Sequence, residues 1–258
     1  MPNIRALAAL LCVAAVVSCD KNLVQDITGP FPTSRVKFFN FGLNTPGVNF
    51  YANTSKMTAI TSGTGTESTN GVTYGNAGNG GLYSAIAPGQ YSLTGRIAAT
   101  IDKDLPIDTV TATIADGKAY SFYLSGYYNT GTKQVDGFTV EDPIPTGVDF
   151  TVANVRFVQA IANAANPMVL YATKTAPPDS GLVVTVGPGV SYKGATAFTS
   201  LPSGTYNLAV RYQDSTANKI VRTGLSFVGG RVYTVGARGD ITLTTGTLAP
   251  ALDNTANR

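Results

Sequence analysis

The 258-residue chain contains no histidine and no tryptophan, and its two cysteines, Cys12 and Cys19, both fall within the first nineteen positions. Without histidine there is no Ser-His or Cys-His nucleophile pair and no imidazole ligand for zinc or iron. Without cysteine beyond position 19 there is no thiolate metal site, redox pair or disulfide in the body of the chain, so stability must come from packed cores. Charge is scarce too: Asp, Glu, Lys and Arg make up 13% of the residues. The net charge of +3 is scattered rather than gathered into a stripe. That excludes a nucleic-acid partner, because phosphate backbones are held by clustered Lys and Arg. The longest apolar run, the twelve residues Ala6 to Val17, falls short of the about 20 that a membrane-spanning helix needs.

Several chemical motifs are present only in outline. Ser34-Arg-Val-Lys37 spells the S-x-x-K of penicillin-interacting serine enzymes. That chemistry needs a helix to bring Lys over Ser, whereas this segment reads as a strand that sends them to opposite faces. Gly63, Gly65 and Gly71 lie in a Ser/Thr-rich stretch with no following helix or Lys, so they form no phosphate loop. Asp102, Asp104 and Asp108 make the one acidic cluster. It is a weak calcium candidate, since Lys103 intrudes and no Gly supplies a tight calcium turn; a solvated hairpin tip is the expectation. No spacing of acids suggests a glycosidase pair. The chain therefore reads as no enzyme, with no cofactor.

Arg5, the apolar run 6–17 and Ser18-Cys19 have the layout of an export signal. The tetrad Val16-Val17-Ser18-Cys19 resembles the lipobox of bacterial lipoproteins. The resemblance implies cleavage after Ser18, a diacylglycerol on the Cys19 sulfur and acylation of its new amine. Two or three acyl chains anchor stably where one holds only marginally. An ordinary secretory signal, with Cys19 beside the cut by chance, is the alternative. Residues 1–18 are then signal peptide, and 19–33 a lipidated Cys and a polar flexible tether. The address is the cell envelope, by membrane anchor. The outer membrane is the expected location, and the inner membrane stays open because Asp20 resembles a retention signal of some enteric bacteria. Residues 19–258 carry 17 basic and 15 acidic side chains.

The chain also repeats itself. Ser34-Arg-Val-Lys-Phe38 returns as Ala153-Asn-Val-Arg-Phe157, and Val48-Asn-Phe-Tyr-Ala52 as Met168-Val-Leu-Tyr-Ala172. Gly71-Val-Thr-Tyr74 returns as Gly189-Val-Ser-Tyr192, and Pro88-Gly-Gln-Tyr-Ser-Leu93 as Ser203-Gly-Thr-Tyr-Asn-Leu208. Asp116-Gly-Lys-Ala-Tyr120 returns as Gly229-Gly-Arg-Val-Tyr233. The order is kept, which predicts repeat 1 over 34–145, a linker over 146–152, repeat 2 over 153–246 and a C-terminal tail over 247–258. The joint, Glu141 to Gly147 (EDPIPTG), is Pro-rich, and Glu141 and Asp142 in it read as solvated. Segments such as Gln90-Tyr-Ser-Leu-Thr alternate polar and apolar with period two, and Gly, Pro, Asn and Asp punctuate them. The expected fold is all-β, two tandem Ig-like or transthyretin-like β-sandwich domains, with a small barrel as the alternative.

Val36-Lys-Phe-Phe-Asn-Phe-Gly-Leu-Asn-Thr-Pro-Gly-Val-Asn-Phe-Tyr51 is similar to the opening of domains in the "domain of unknown function 4397" family. Phe227-Val-Gly-Gly-Arg-Val-Tyr-Thr-Val-Gly236 is similar to its closing strand. The family's usual His is Asn40 in the first copy and Gln159 in the second; its usual Asp is Asn44 and Asn163. Amides do not titrate and bind metals weakly, so these positions read as a strand-to-loop corner bonding local backbone. Thirteen Tyr and eleven Phe remain as binding resource. Most belong in strands; Tyr127 and Tyr128, in a predicted loop over 126–131, are the ligand-contact candidates. The functional expectation is a lipid-anchored envelope protein with β-sandwich modules that bind an envelope protein or a polysaccharide. The alternative is a purely structural spacer or assembly component, and a hydrolase ranks below both.

Overall fold

The computed structural model describes residues 32–58 and 70–258. Cys19, the signal, most of the tether, Gly63 and Gly65 lie outside the described residues. The described chain is all-β, and Pro32–Arg258 forms one compact unit. Seventeen strands occur among the described residues. In the first repeat they are β1 (Ser34–Asn40), β2 (Val48–Ala52), β3 (Ser55–Lys56), β4 (Asn76–Ala77), β5 (Ser84–Ile86), β6 (Gly89–Ile97), β7 (Pro106–Ile114), β8 (Ala119–Asn129) and β9 (Gln134–Glu141). In the second they are β10 (Val152–Gln159), β11 (Met168–Lys174), β12 (Val183–Val190), β13 (Thr199–Pro202), β14 (Gly204–Tyr212), β15 (Ile220–Phe227), β16 (Val232–Arg238) and β17 (Ala251–Ala256).

The strands form four sheets, two per repeat. In repeat 1 the order β4-β1-β8-β9, with β5 also on β1, faces β3-β2-β6-β7; in repeat 2 the order β13-β10-β16-β17 faces β12-β11-β14-β15. The first strand of each repeat pairs in parallel with a later strand of the same repeat, β1 with β8 (Phe38 opposite Phe122) and β10 with β16 (Phe157 opposite Val235). Every other strand pair is antiparallel. Alternation sends Val36, Phe38, Phe50, Leu93, Phe122 and Leu124 into one core, and Val155, Phe157, Leu170, Leu208, Val210 and Val235 into a second. The turns signalled by Asp116-Gly117 and Gly229-Gly230 fall between β7 and β8 and between β15 and β16.

Three expectations are corrected. Residues 247–258 are not a tail: β17 pairs along the whole of β16, Tyr233 opposite Ala256 through Arg238 opposite Ala251. It occupies in repeat 2 the place that β9 occupies beside β8 in repeat 1, so repeat 2 runs to the end of the described chain. Asp142, expected to be solvated in the joint, is 2% exposed. The joint also does not hold two separate bodies apart. The second faces of β1, β8 and β9 lie against the second faces of β10 and β16, and a third core of Phe39, Phe41, Tyr123, Phe138, Val158 and Ala160 fills the space between.

Stacked aromatic rings make up the repeat 1 side of this third core: Phe39 on Tyr123 at 4.5 Å and Tyr123 on Phe138 at 5.0 Å between centroids. Such pairs contribute about 0.5–1.5 kcal/mol each beyond the area they bury. Gly236 in β16 has no side chain because Phe41 occupies the space; a Cβ there would sit 2.9 Å from the Phe41 ring.

Candidate functional site: the junction of the two repeats

At one end of the third core lies a buried polar cluster built from both repeats. β10 turns Arg156 away from its own core. Its Nη2 donates to Asp142 Oδ1, its Nη1 to the Glu141 carbonyl at 2.8 Å and its Nε to Thr234 Oγ1 at 2.9 Å. Asp142 Oδ2 also accepts from Ser121 Oγ at 2.7 Å and Tyr83 OH at 2.5 Å. Lys37, on the outward face of β1, donates to the Ala256 carbonyl and to Asn257 Oδ1, and its ammonium lies 4.3 Å from the Tyr83 ring centroid. Burial lowers the Lys37 pKa to about 8, against the pull of Asp142. Burial and the adjacent Asp142 push the Tyr83 phenol well above its usual range. Each charge here is hydrogen-bonded, the condition under which charge survives burial. The cluster is structural, since its polar atoms are spent on one another.

Beside it the junction opens into a groove of about 390 Å³. Phe39, Phe41 and Ala77 give it an apolar lining; residues 75–82 form one wall, and Asp253 and Thr255 of β17 the other. The first wall is Gly75-Asn-Ala-Gly-Asn-Gly-Gly-Leu82. Gly75 takes a left-handed φ of +79°, and a Cβ there would lie 2.9 Å from the Arg238 guanidinium. Arg238 crosses from repeat 2 to this wall, paired with Asp253 and stacked 4.9 Å from the Tyr74 ring centroid. The volume lies within the usual range for small-molecule sites. The one carboxylate in its lining is bound to Arg238, so the arrangement suits binding rather than proton transfer.

The residues singled out from sequence fall in several places. Tyr127 and Tyr128 stand in β8, not in a loop; the turn comes after Asn129. Tyr128 packs on the first core. Tyr127 is 48% exposed, and Asp240 of repeat 2 acts on its hydroxyl electrostatically. Partial burial and that carboxylate raise its pKa to about 12. The run reads as a loop because of its two flanking glycines, but Gly126 sits where a Cβ would press on the Tyr192 hydroxyl at 3.2 Å.

Asp102, Asp104 and Asp108 do not converge. Asp102 accepts from Lys133 at 3.0 Å and Asp104 from the Tyr51 hydroxyl at 3.3 Å, both in the turn before β7. Asp108 turns inward against Gly137, leaving Oδ2 buried without a hydrogen-bond partner. That burial raises its pKa to about 6. Among the described residues no three carboxylates or cysteines are placed to hold a metal ion.

Asn40 bonds its own corner, donating to the Val72 carbonyl at 2.9 Å and accepting from Thr45 Oγ1 at 2.8 Å. Gln159 does the same in repeat 2 with Ile161. Asn44 takes a left-handed turn conformation with φ +60°, and Asn163 donates to Asp240 at 2.7 Å. Ser34 donates to the Ala115 carbonyl, far in role from Lys37 in the polar cluster. Sequence reading missed the junction itself. Its signal was the adjacent apolar pair Phe38-Phe39, followed by Phe41, with Phe122-Tyr123-Leu124 in β8, which marks strands covered on both faces.

No family model matches the chain, and no curated protein matches it. Among solved structures, a leucine-rich repeat protein from Bacteroides thetaiotaomicron is similar over 81% of this chain at 12% identity and a TM-score of 0.21. The match spans 26% of that protein's length.

Proposed function

We propose that the chain is a lipid-anchored protein of the bacterial cell envelope whose two Ig-like or transthyretin-like β-sandwich repeats form a non-enzymatic binding module. Cys19 carries the lipid in this reading, on the strength of its lipobox-like surroundings, and the repeats are of the "domain of unknown function 4397" kind. The observation that carries the binding role is the groove shared by both repeats, with Phe39 and Phe41 from one and Asp253 and Thr255 from the other. A site of this make-up takes a small neutral polar ligand or a short stretch of polysaccharide.

A thermal-shift screen of soluble glycans against the wild type and an Asn76→Ala/Asp253→Ala variant tests it. A true ligand raises the wild-type Tm by mass action and leaves the variant's Tm unmoved. A flat response of both across the panel overturns the binding role. It would favour the second reading, a spacer or assembly component, which draws support from the extent of the sealed face between the repeats.

A further inference from the structure

The end of the molecule at which the described residues begin carries an exposed apolar cluster. Val148 and Val228 are each 52% exposed and Phe150 is 80% exposed. They are neighbours: a Cβ on Gly230 would lie 3.0 Å from the Phe150 ring and 3.3 Å from Val148 Cγ1, and Val228 accepts from Arg231 in the same tight turn. The Gly229 position comes so close to the Phe150 carbonyl, 1.8 Å from a built Cβ, that only glycine fits. Two glycines thus hold the ring outside the core, over a turn, where a larger residue would displace it.

This end is also the tether end. Thr33 Oγ1 donates to Asp116 and Ser34 Oγ to the Ala115 carbonyl, both in the β7–β8 turn. The β15–β16 turn holds the equivalent place in repeat 2, with Asn154 bonding Arg231 as Arg35 bonds Lys118. Across the junction Lys37, in the middle of β1, meets Ala256 and Asn257, which flank the start of β16. The two turns therefore share one end. Arg231 and Arg258 lie there too, the latter donating to the Pro145 and Gly147 carbonyls of the joint.

We infer that Val148, Phe150 and Val228 seat this end of the protein in the lipid interface, making a second, non-covalent contact beside the acyl anchor. The inference rests on the lipid-anchor reading above. Only residues 20–31 separate Cys19 from Pro32 in the sequence. A cluster held that close to the bilayer needs little affinity of its own, because the anchor supplies its effective concentration. An aromatic ring, two branched aliphatics and flanking arginines are the side chains that interfaces favour.

The chain has no tryptophan, so a single Phe150→Trp reporter is unambiguous. Ile101→Trp, in the turn at the opposite end of β7 and 81% exposed, is its control. Both are made in the lipidated full chain, reconstituted in phosphatidylethanolamine–phosphatidylglycerol vesicles. The inference requires Phe150→Trp emission to shift to the blue on reconstitution and to be quenched by nitroxide-labelled lipid, with Ile101→Trp unmoved. In the unlipidated Cys19→Ala chain, Phe150→Ser should lower vesicle partition about tenfold, the loss of one buried aromatic side chain. A water-exposed Phe150→Trp on a chain that incorporates a fatty-acid probe overturns the contact and leaves the anchor standing. A chain that takes no fatty-acid probe but still shifts at Phe150→Trp with vesicles keeps the contact and loses the anchor. A Phe150→Trp already shifted to the blue without lipid means that the chain covers the cluster itself, and overturns the inference.

Discussion

Replacing Arg156 with Met removes the one cation that faces Asp142 across the junction. The carboxylate stays 2% exposed and keeps only the Ser121 and Tyr83 hydroxyls as partners. The Glu141 carbonyl loses a donor as well, and the Thr234 hydroxyl is left with that of Asn257. Breaking a buried pair from one side costs about 3–5 kcal/mol, a large part of the 5–15 kcal/mol by which folded domains are stable. Replacing both partners, Arg156→Met with Asp142→Leu, removes the stranded charge and should return most of that loss. Urea denaturation followed by far-UV circular dichroism gives the two single changes, the pair and their coupling. A coupling below about 1 kcal/mol, or a single change that costs no more than a surface pair, would refute the claim that this charge is buried and ion-paired across the two repeats.

Gly236→Ala places a methyl against Phe41, itself fixed by Phe39 and Tyr123, and should destabilise by about 1–3 kcal/mol; an unchanged urea midpoint would contradict the close contact. The Asp108 carboxyl has its folded pKa raised to about 6 from an ordinary 3.8, so the folded state binds more protons between those values. Its contribution to stability must then fall as pH rises from about 4 to 6, by on the order of 1–3 kcal/mol. Asp108→Asn should flatten that slope and stabilise at pH 7, read from Tm against pH in both chains. Deleting residues 251–258 uncovers the edge of β16 and strips Lys37 and Arg238 of their partners. The truncated chain should aggregate, and a soluble, monomeric product with native Tm would show that β17 is dispensable.

Much of the fold was legible from periodicity. A strand such as β14 alternates because one face is buried and the other more exposed, and glycine-bearing turns punctuate the strands. The five matched blocks fall on equivalent strands and turns of the two repeats. What alternation could not reveal is where both faces are covered, and Phe38 to Phe41 carries apolar side chains on both. β17 escaped notice for a different reason. Ala-Leu-Asp-Asn-Thr-Ala has weak β preference; it is a strand because β16 supplies a ladder, and Arg222 and Lys37 bond its Leu252 and Ala256 carbonyls. Asp142 looked solvated because its partner is fourteen residues away in a different repeat. The groove was hidden likewise, since its two walls, residues 75–82 and β17, are far apart in sequence.

Facing sheets of the two repeats seal a third core, so the repeats should unfold as one body. Scanning calorimetry of the full chain should then show a single transition whose calorimetric and van't Hoff enthalpies agree. Two resolved transitions, with Arg156→Met lowering neither midpoint, would contradict it.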